Sequence, residues 1–444
     1  MAVLSLEKRT IRKVTLRIVP YMFIAYLVAF LDRVSITYSS MGGMDEALQL
    51  TASTFGLLSG IFFIGYFLFE IPSNLLLNKF GARKWIGRIL VTWGIVTVIT
   101  AWVESATHLL ILRFLLGVAE AGFFPGMILY ITFWFRQKER AKVVALFMTA
   151  PPIANALGAP LSTWIVENIH WAGMPGWRWL FILAGLPAVV LGIITFFYLI
   201  DKPEKAKWLT SEEKGWLNSE LNKEKESKIK VNSLSMKEVF KNKVVWRFTF
   251  INLTFVIGLY GISFWMPRII QSLSELFTDA TLGFVTMIPF LCGAITMVLV
   301  GRNSDRTGER KYHSAIGPLL GSLGLIGVLI SPHPIVSVIL ICVTTAGLYS
   351  FSGPYWAFAS SMITAEAAVV GIGIVNSVGN FGGFIGPYMI GILNDATGSV
   401  VFGIAFLALM LILTSIQLLT VRKEKIGIIN KDQPSIPKNL QQKM

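Results

Sequence analysis

Charged residues and cysteines are both scarce in this sequence, and each shortage narrows the kind of protein that it encodes. Only 14% of the 444 residues are Asp, Glu, Lys or Arg, whereas a soluble domain carries about 25%. The two cysteines, Cys292 and Cys342, lie in apolar stretches, where we expect buried small side chains and no disulfide framework. The composition is therefore that of a polytopic membrane protein.

Histidine is also rare, and the sequence has no constellation of residues typical of an enzyme. The four histidines lie in or near predicted loops and form no ligand cluster. A Gly-rich phosphate-binding loop is absent as well. We therefore expect neither enzymatic activity, nor a metal ion, nor an organic cofactor.

Long hydrophobic stretches are what the sequence has in abundance. Hydrophobic residues make up 54% of the chain, and the mean hydropathy is +0.65. A membrane-spanning helix needs about 20 mostly apolar residues. Stretches of this kind lie near residues 17–39, 52–77, 85–104, 107–134, 142–166, 178–200, 245–270, 280–300, 313–331, 334–358, 369–393 and 400–421. We predict an all-α membrane protein with twelve transmembrane helices.

The most polar internal region, residues 201–243, divides these spans into two sets of six. It predicts an N-terminal six-helix bundle over residues 1–200, a cytoplasmic linker over 201–243, a C-terminal bundle over 244–421 and a cytoplasmic tail over 422–444. Within the linker, Thr210 or Ser211 followed by Glu213 is typical of a helix N-cap with acidic residues in the first turn.

The net charge of +14 follows from the predicted topology. Basic residues collect in the loops after spans two, four, six and eight, and cytoplasmic loops are rich in Lys and Arg. The opposite loops hold the acids Asp45, Glu46, Glu104, Glu275 and Asp279. We therefore place both termini in the cytoplasm of a multi-pass protein of the cell membrane, with the lipid bilayer as its partner and no nucleic acid.

A loop motif occurs twice, once after span two and once after span eight. The second copy has the pattern G-x-x-x-D-R-x-G-x-R, formed by Gly301, Asp305, Arg306, Gly308 and Arg310. The first copy keeps the spacing through Asn78, Gly81 and Arg83. An acid at a helix end can bind the N-terminus of a neighbouring helix and nearby arginines. We interpret the pair as a cytoplasmic gate between two repeated halves, in preference to ordinary basic loops.

Several stretches resemble the major facilitator superfamily, and within it the anion:cation symporter family of phthalate, tartrate, hydroxyphenylacetate and hexuronate permeases. They are FLDR at 30–33, GYFLFEIPSN at 65–74, RFLLGVAEAGFFPG at 113–126, GWRWLF at 176–181, GLYGISFWMP at 258–267 and NSVGNFGGFIGP at 376–387. The resemblance covers the chain apart from its C-terminal tail. It implies two pseudo-symmetric six-helix bundles. Asn78 replaces the acid usual in the first gate motif, so the second copy is expected to matter more.

Four charged residues inside the spans are the candidate coupling network. Asp32 and Arg33 are adjacent in span one, whereas Arg113 and Glu120 are seven residues apart in span four. Seven residues return to the same helix face roughly 10 Å further along. The resemblance implies that Glu120 carries a proton with Asp32 as its partner. A static charge network that orders the bundle is the alternative for these residues.

Arg33 is the candidate contact for a substrate carboxylate. Its guanidinium stays charged and offers a planar pair of donors that matches a carboxylate. An arriving anion would compete with the acids for Arg33, and a proton would compensate the acid that it frees. We expect Arg113 to tune these acids.

Polar residues on other spans are candidates for the remaining substrate contacts. Asn376 and Asn380 share one face of span eleven, and Tyr66 and Tyr260 are amphipathic residues suited to a cavity wall. Helix–helix hydrogen bonding and ordinary packing are the alternatives. Glu70, near the cytoplasmic end of span two, is a better candidate for a gate contact than for a ligand.

These residues predict a secondary transporter that takes up a small organic carboxylate together with protons by alternating access. We expect it to be a monomer. Sugar-acid members of the family that the chain resembles tend to have an amide near Pro151, and its absence here argues against a heavily hydroxylated substrate. An exporter that exchanges a drug-like or metabolic anion for protons is one alternative. A membrane sensor that has kept the fold and lost transport is the other.

Overall fold

The computed structural model describes residues 5–228, 236–273, 279–363 and 365–421, and these residues form helices and no β-strand. The predicted all-α architecture is confirmed. The predicted tail at 422–444 and the loop acid Glu275 lie outside the described residues. The α-helices are α1 Leu6–Ser39, α2 Asp45–Leu48, α3 Ala52–Phe80, α4 Ala82–Thr100, α5 Ala106–Glu120, α6 Phe123–Trp134, α7 Gln137–Phe147, α8 Ala150–Asn168, α9 Gly176–Tyr198, α10 Ser211–Lys228, α11 Met236–Phe240, α12 Lys243–Leu273, α13 Asp279–Thr307, α14 Lys311–Ile330, α15 Pro334–Met362, α16 Ala365–Asn380, α17 Gly382–Thr397 and α18 Val401–Leu419.

Every predicted span corresponds to helical structure. Ten helical segments in the described part of the chain are long and apolar enough to cross a membrane by themselves. The other two predicted spans correspond to α4 and to α16 with α17. The first of these has Arg83 and Lys84 in its first turn, and the second is interrupted at Phe381. We use "first half" for the helices from Leu6 to Tyr198 and "second half" for those from Lys243 to Leu419.

Three predicted spans are broken helices, which hydropathy alone did not reveal. Span four is divided into α5 and α6 because Ala121 has an extended ψ of 132° and Gly122 has a left-handed φ of 83°. A side chain at Gly122 would also collide with Ser73 of α3, so glycine is required for two reasons. Span five is divided after Phe147, and span eleven after Asn380. Span four therefore ends its first helix at Glu120.

The two halves pack closely along α3 and α17, which run antiparallel. Gly60 of α3 faces the carbonyl oxygen of Phe384, to which a Cβ would lie 2.8 Å away. Gly383 of α17 faces the ring of Phe63 at 2.7 Å on the same measure. Small residues permit this approach of helix backbones in membrane proteins. The helices α8 and α13 form a second contact between the halves, around Gly283.

Polar contacts between the halves occur at the end of the bundle where α1 finishes and α3 begins. We call this the distal end and the opposite one the linker end. Asp395 of α17 accepts hydrogen bonds from the backbone N–H groups of Ala52 at 3.1 Å and Ser53 at 2.9 Å. Arg268 of α12 forms an ion pair with Asp45. The distal end is therefore closed by contacts between the halves.

The linker contains the predicted helix, α10, and its predicted N-cap is confirmed. Glu213 accepts from the backbone N–H of Thr210 at 2.9 Å, and its own N–H donates to the Thr210 hydroxyl at 3.2 Å. The carboxylate also accepts from Arg9 Nε at 3.0 Å and from Lys13 Nζ at 3.1 Å. Burial opposes ionisation, but the Lys13 hydrogen bond keeps the pKa of Glu213 below its ordinary value.

A second group of ion pairs joins α10 and α1 to the turn between α6 and α7 and to the first turn of α7. Arg136 donates to Glu7 at 2.8 Å and to Glu220 at 3.1 Å, and Arg140 donates to Glu224 at 2.6 Å. With the Glu213 contacts, these pairs attach α10 to the first half at the linker end.

Candidate functional site

An ion pair between Arg33 and Glu120 lies at the centre of the candidate site. The long helix α1 supplies Arg33, and Glu120 is the last residue of α5, where span four breaks. Arg33 Nε donates to Glu120 Oε1 at 3.0 Å, and Arg33 Nη2 donates to the same oxygen. Both side chains are buried. The other carboxylate oxygen, Oε2, has no hydrogen-bond partner within the described residues.

Asp32 contacts a different helix from its neighbour Arg33. Its Oδ2 accepts a hydrogen bond of 2.8 Å from the hydroxyl of Thr97 on α4, and Asp32 is only 1% exposed. Its Oδ1 is unpartnered among the residues described. Adjacent helix residues point about 100° apart, so Asp32 and Arg33 have different surroundings. The sequence analysis missed Thr97, because nothing distinguishes it from other threonines in apolar helices.

Arg113 is buried near the pair and forms no ion pair within the described part of the chain. Its Nε donates to the backbone carbonyl of Leu58 at 3.2 Å, while its Nη2 has no acceptor there. Its guanidinium lies 5.8 Å from the centroid of the Phe62 ring. In this conformation the predicted network of four charges therefore contains one direct ion pair, between Arg33 and Glu120.

Aromatic rings surround the Arg33 guanidinium. The ring centroids of Phe30, Phe62 and Tyr66 lie 4.9, 5.0 and 5.7 Å from it. Tyr260, on α12 of the second half, accepts a hydrogen bond of 3.4 Å from Arg33 Nη1. Cation–π contacts stabilise a guanidinium that has lost its water. Arg33 therefore contacts both halves, and two of the predicted substrate-binding residues, Tyr66 and Tyr260, lie beside it.

The predicted residues on span eleven lie apart from Arg33's immediate contacts. Asn376 Nδ2 donates to Glu70 Oε1 at 3.2 Å, and the hydroxyl of Ser377 donates to Glu70 Oε2 at 2.8 Å. Glu70 is buried in α3, and these hydrogen bonds join the two halves; its role as a gate contact stays a prediction. Asn380 is the last residue of α16 and makes no hydrogen bond through its side chain to any described residue.

An amide that the sequence analysis passed over also joins the halves. Asn155 of α8 donates from Nδ2 to the hydroxyl of Tyr349 on α15 at 3.0 Å, and its Oδ1 is buried without a described partner. Asn155 lies one helical turn after Pro151, the residue near which the sequence analysis looked for an amide. Extending that search by one turn along the same helix face would have identified Asn155.

Each copy of the gate motif makes its observed contacts within its own half of the protein or with the start of the linker. Asn78 donates to the carbonyl of Asn74 at 3.2 Å, and Gly81 has a φ of 87° that favours glycine. The backbone N–H of Arg83 donates to Asp201 at 2.8 Å. The sequence analysis did not single out Asp201, which caps the start of α4 from the beginning of the linker.

In the second copy, Asp305 forms an ion pair of 2.6 Å with Arg310, and Gly308 has a left-handed φ of 68°. Gly301 and Arg306 lie in the last turns of α13. The observed contacts of Asn78 and Asp305 do not join the halves in this conformation. The motif was predicted to act as a cytoplasmic gate between the halves, and that role stays a prediction.

The fold and the buried charges at the interface of its halves define a multi-pass membrane transporter. The chain belongs to the Major Facilitator Superfamily, whose family model matches residues 22–387. It is 42% identical over 419 residues to a protein named "Putative tartrate transporter" from Agrobacterium vitis, covering 94% of this chain and 96% of that one. It is 37% identical to the "Quinolone resistance transporter" of Acinetobacter baumannii, covering 97% and 100%.

A solved structure supports the same fold. The inward-open xylose transporter XylE from E. coli superimposes with a TM-score of 0.73 at 15% identity, covering 93% of this chain and 97% of that one. The family model and the relatives confirm the resemblance to the superfamily predicted from the sequence motifs.

Proposed function

We propose that this transporter brings a small organic carboxylate into the cell together with protons. Residues 1–200 and 244–421 would rock against each other as two units, with residues 201–243 connecting them. The observation that carries the proposal is the buried ion pair between Glu120 and the guanidinium of Arg33. The same guanidinium also donates to Tyr260 of the second half.

The coupling follows from competition for one guanidinium. A substrate carboxylate that binds Arg33 must displace Glu120, because both need the same Nε and Nη2 donors. The displaced Glu120 would be a buried carboxylate without its cation, which is strongly destabilising in a membrane interior. A proton removes that cost by neutralising the carboxyl. Substrate and proton would therefore bind together, which is symport.

The other candidate residues would complete the site. Tyr66 and Tyr260 lie beside Arg33 and can donate hydroxyl hydrogen bonds to substrate oxygens. Asn376 and Asn380 would provide amide contacts from the second half, after Asn376 leaves Glu70. Asp32 and Arg113 would set the charge balance around Glu120. The relatives named tartrate transporters support a small carboxylate as the substrate, since tartrate is a small dicarboxylate.

The basic loops and the closed distal end support an orientation. Because cytoplasmic loops are rich in Lys and Arg, the linker end and both termini would lie in the cytoplasm of a monomer in the cell membrane. The closed distal end would then face outward, as expected of an inward-facing conformation. The gate motifs Asn78–Arg83 and Gly301–Arg310 would engage when the linker end closes.

The relative named for quinolone resistance supports a second candidate, a proton-coupled exporter. Quinolones also carry a carboxylate, so Arg33 could serve either function. The two candidates differ in the direction in which a proton gradient drives the substrate.

Reconstituted transport distinguishes these candidates. Purified protein in liposomes is tested with labelled tartrate and a panel of organic acids, with the outside more acidic than the inside. Symport predicts accumulation that a protonophore abolishes, together with counterflow without a gradient. Uptake that ignores the gradient would refute proton symport. If acid outside drives the substrate out of loaded liposomes, the protein is an exporter. Empty liposomes and liposomes without a gradient are the controls.

A further inference from the structure

A basic groove at the linker end of the first half takes no part in the proposed transport step. It is an open surface groove with about 370 Å³ of accessible space, lined by Lys13, Leu16 and Arg17 of α1, Tyr198 of α9 and Trp208 of the linker. Two cations, two aromatic rings and one aliphatic side chain therefore meet on the surface of the bundle, where the linker crosses it.

Arg17 is the residue in this groove that most clearly lacks an anion. Its guanidinium lies 4.7 Å from the centroid of the Tyr198 ring and 5.4 Å from that of Trp208. It forms no ion pair with any carboxylate among the residues described, although other basic residues of this end do so. The two rings hold the guanidinium in place and leave its N–H donors available.

Two further residues of the same groove carry N–H donors. The indole Nε1 of Trp208 is buried and has no acceptor within the described residues, although buried indole N–H groups usually find one. Lys13 donates to Glu213 at 3.1 Å, and its ammonium group has three hydrogens. The groove thus offers N–H donors in excess of the acceptors that this chain supplies.

The groove also borders the apolar surface of the bundle. Leu16 is 64% exposed and Phe197, next to Tyr198, is 83% exposed. In a membrane-spanning bundle such side chains face acyl chains, and Tyr and Trp are enriched where the apolar core meets the headgroups. A ligand that fits the whole groove therefore has an anionic head and an adjoining hydrocarbon chain.

We propose that this groove binds the phosphodiester headgroup of an anionic phospholipid. Arg17 is the principal contact to the phosphate oxygens, and Lys13 and the Trp208 indole N–H are additional donors. Basic pockets at this level of a membrane protein recognise such headgroups. The acyl chain lies along Leu16 and Phe197. Because Trp208 belongs to the linker and Lys13 holds Glu213 of α10, a bound lipid also stabilises the attachment of the linker to the first half.

Lipid titration of the purified full-length protein in a non-ionic detergent tests this proposal. Thermal unfolding and native mass spectrometry are followed as phosphatidylglycerol, phosphatidylcholine or inorganic phosphate is added. A ligand that binds only the folded protein raises its unfolding temperature in a saturable way. We expect this rise with phosphatidylglycerol, and neither with phosphatidylcholine nor with phosphate at the same concentrations.

Matched variants locate the site. Arg17→Gln should weaken phosphatidylglycerol binding about tenfold, the effect of losing one charge-assisted contact. Arg12→Gln removes the same charge from an exposed position on α1 outside the groove and should bind like the wild type. Trp208→Phe keeps a ring but removes the N–H donor, and it provides a test if Arg17→Gln fails to fold.

The proposal is overturned by either of two results. One is equal phosphatidylglycerol affinity in Arg17→Gln, Trp208→Phe and Arg12→Gln, which would make the lipid effect a general response to charge. The other is stabilisation of the wild type by inorganic phosphate to the same extent as by phosphatidylglycerol, which would make the groove a site for free anions.

Discussion

Glu120 holds Arg33 through a single carboxylate oxygen. Oε1 accepts from both Nε and Nη2 of Arg33, while Oε2 is buried without a partner in the described part of the protein. A carboxyl group can carry its proton on one oxygen and accept hydrogen bonds on the other. Oε2 is thus free to carry the proton that the proposed symport requires.

Replacing Glu120 by Gln tests this role directly. The amide has nearly the same shape and is permanently neutral, so it reproduces the protonated state. We expect counterflow of the substrate to persist and accumulation driven by a proton gradient to be abolished, both measured in proteoliposomes. Glu104→Gln, at an exposed acid before α5, should accumulate substrate normally. Accumulation by Glu120→Gln at the wild-type level would remove Glu120 from coupling.

Arg33→Lys should weaken substrate binding while keeping the positive charge. Lysine cannot offer two parallel N–H donors to one carboxylate. The loss of one hydrogen bond to a charged group, about 1.5–3 kcal/mol, corresponds to a roughly 10- to 150-fold rise in KM for uptake. Arg113→Lys should change KM much less, since Arg113 donates to the Leu58 carbonyl. Equal effects of the two substitutions would contradict the assignment of Arg33.

Thr97→Val should shift the pH dependence of uptake through Asp32. The Thr97 hydroxyl donates to Asp32 Oδ2 and so stabilises the ionised carboxylate. Valine has the same shape without the donor, which favours the protonated acid and moves the midpoint of the pH profile to higher pH. Thr97→Ser keeps the donor and should restore the wild-type profile. A midpoint that stays unchanged in Thr97→Val would show that Asp32 does not titrate during transport.

Asp395→Asn should loosen the closed distal end. A charged acid at a helix N-terminus contributes about 0.3–1 kcal/mol, so its loss should raise the population open at this end about two- to fivefold. Distances between spin labels on the distal ends of α3 and α17 measure this population. Asp305→Asn, whose observed ion pair with Arg310 lies within the second half, is the control. If the distances are the same in both variants, the Asp395 contact does not hold the halves together.

Acid should release α10 from the first half through Glu213. Its pKa in the folded protein lies below the ordinary value of 4.5. A lowered folded pKa contributes stability above the unfolded pKa, and that stability is lost as the pH falls through the folded pKa. The protection factors of the α10 amides, which are exchange rates corrected for the intrinsic rate at each pH, should therefore fall below about pH 4.5. Glu213→Gln should lower these protection factors already at pH 7, whereas unchanged protection would contradict this role.

Much of the fold could be predicted from the sequence because its signals are local. The length of each apolar stretch predicts a span, and Thr210 with Glu213 predicts the start of α10, which the structure confirms. The helix breaks were harder to predict. Gly122 needs its left-handed φ partly because Ser73 of another helix leaves no room for a side chain, and hydropathy does not report such a contact.

The candidate site likewise has features that could be predicted from the sequence and features that could not. The sequence by itself determined which spans hold charges, because a buried charge in an apolar helix is costly and therefore conspicuous. Only the tertiary structure decided their partners: Glu120 for Arg33, Thr97 for Asp32 and Ser377 with Asn376 for Glu70. Each of these contacts joins side chains from different helices. The geometry of these contacts depends on how the helices pack, and helix packing is determined by residues that are far apart in the sequence.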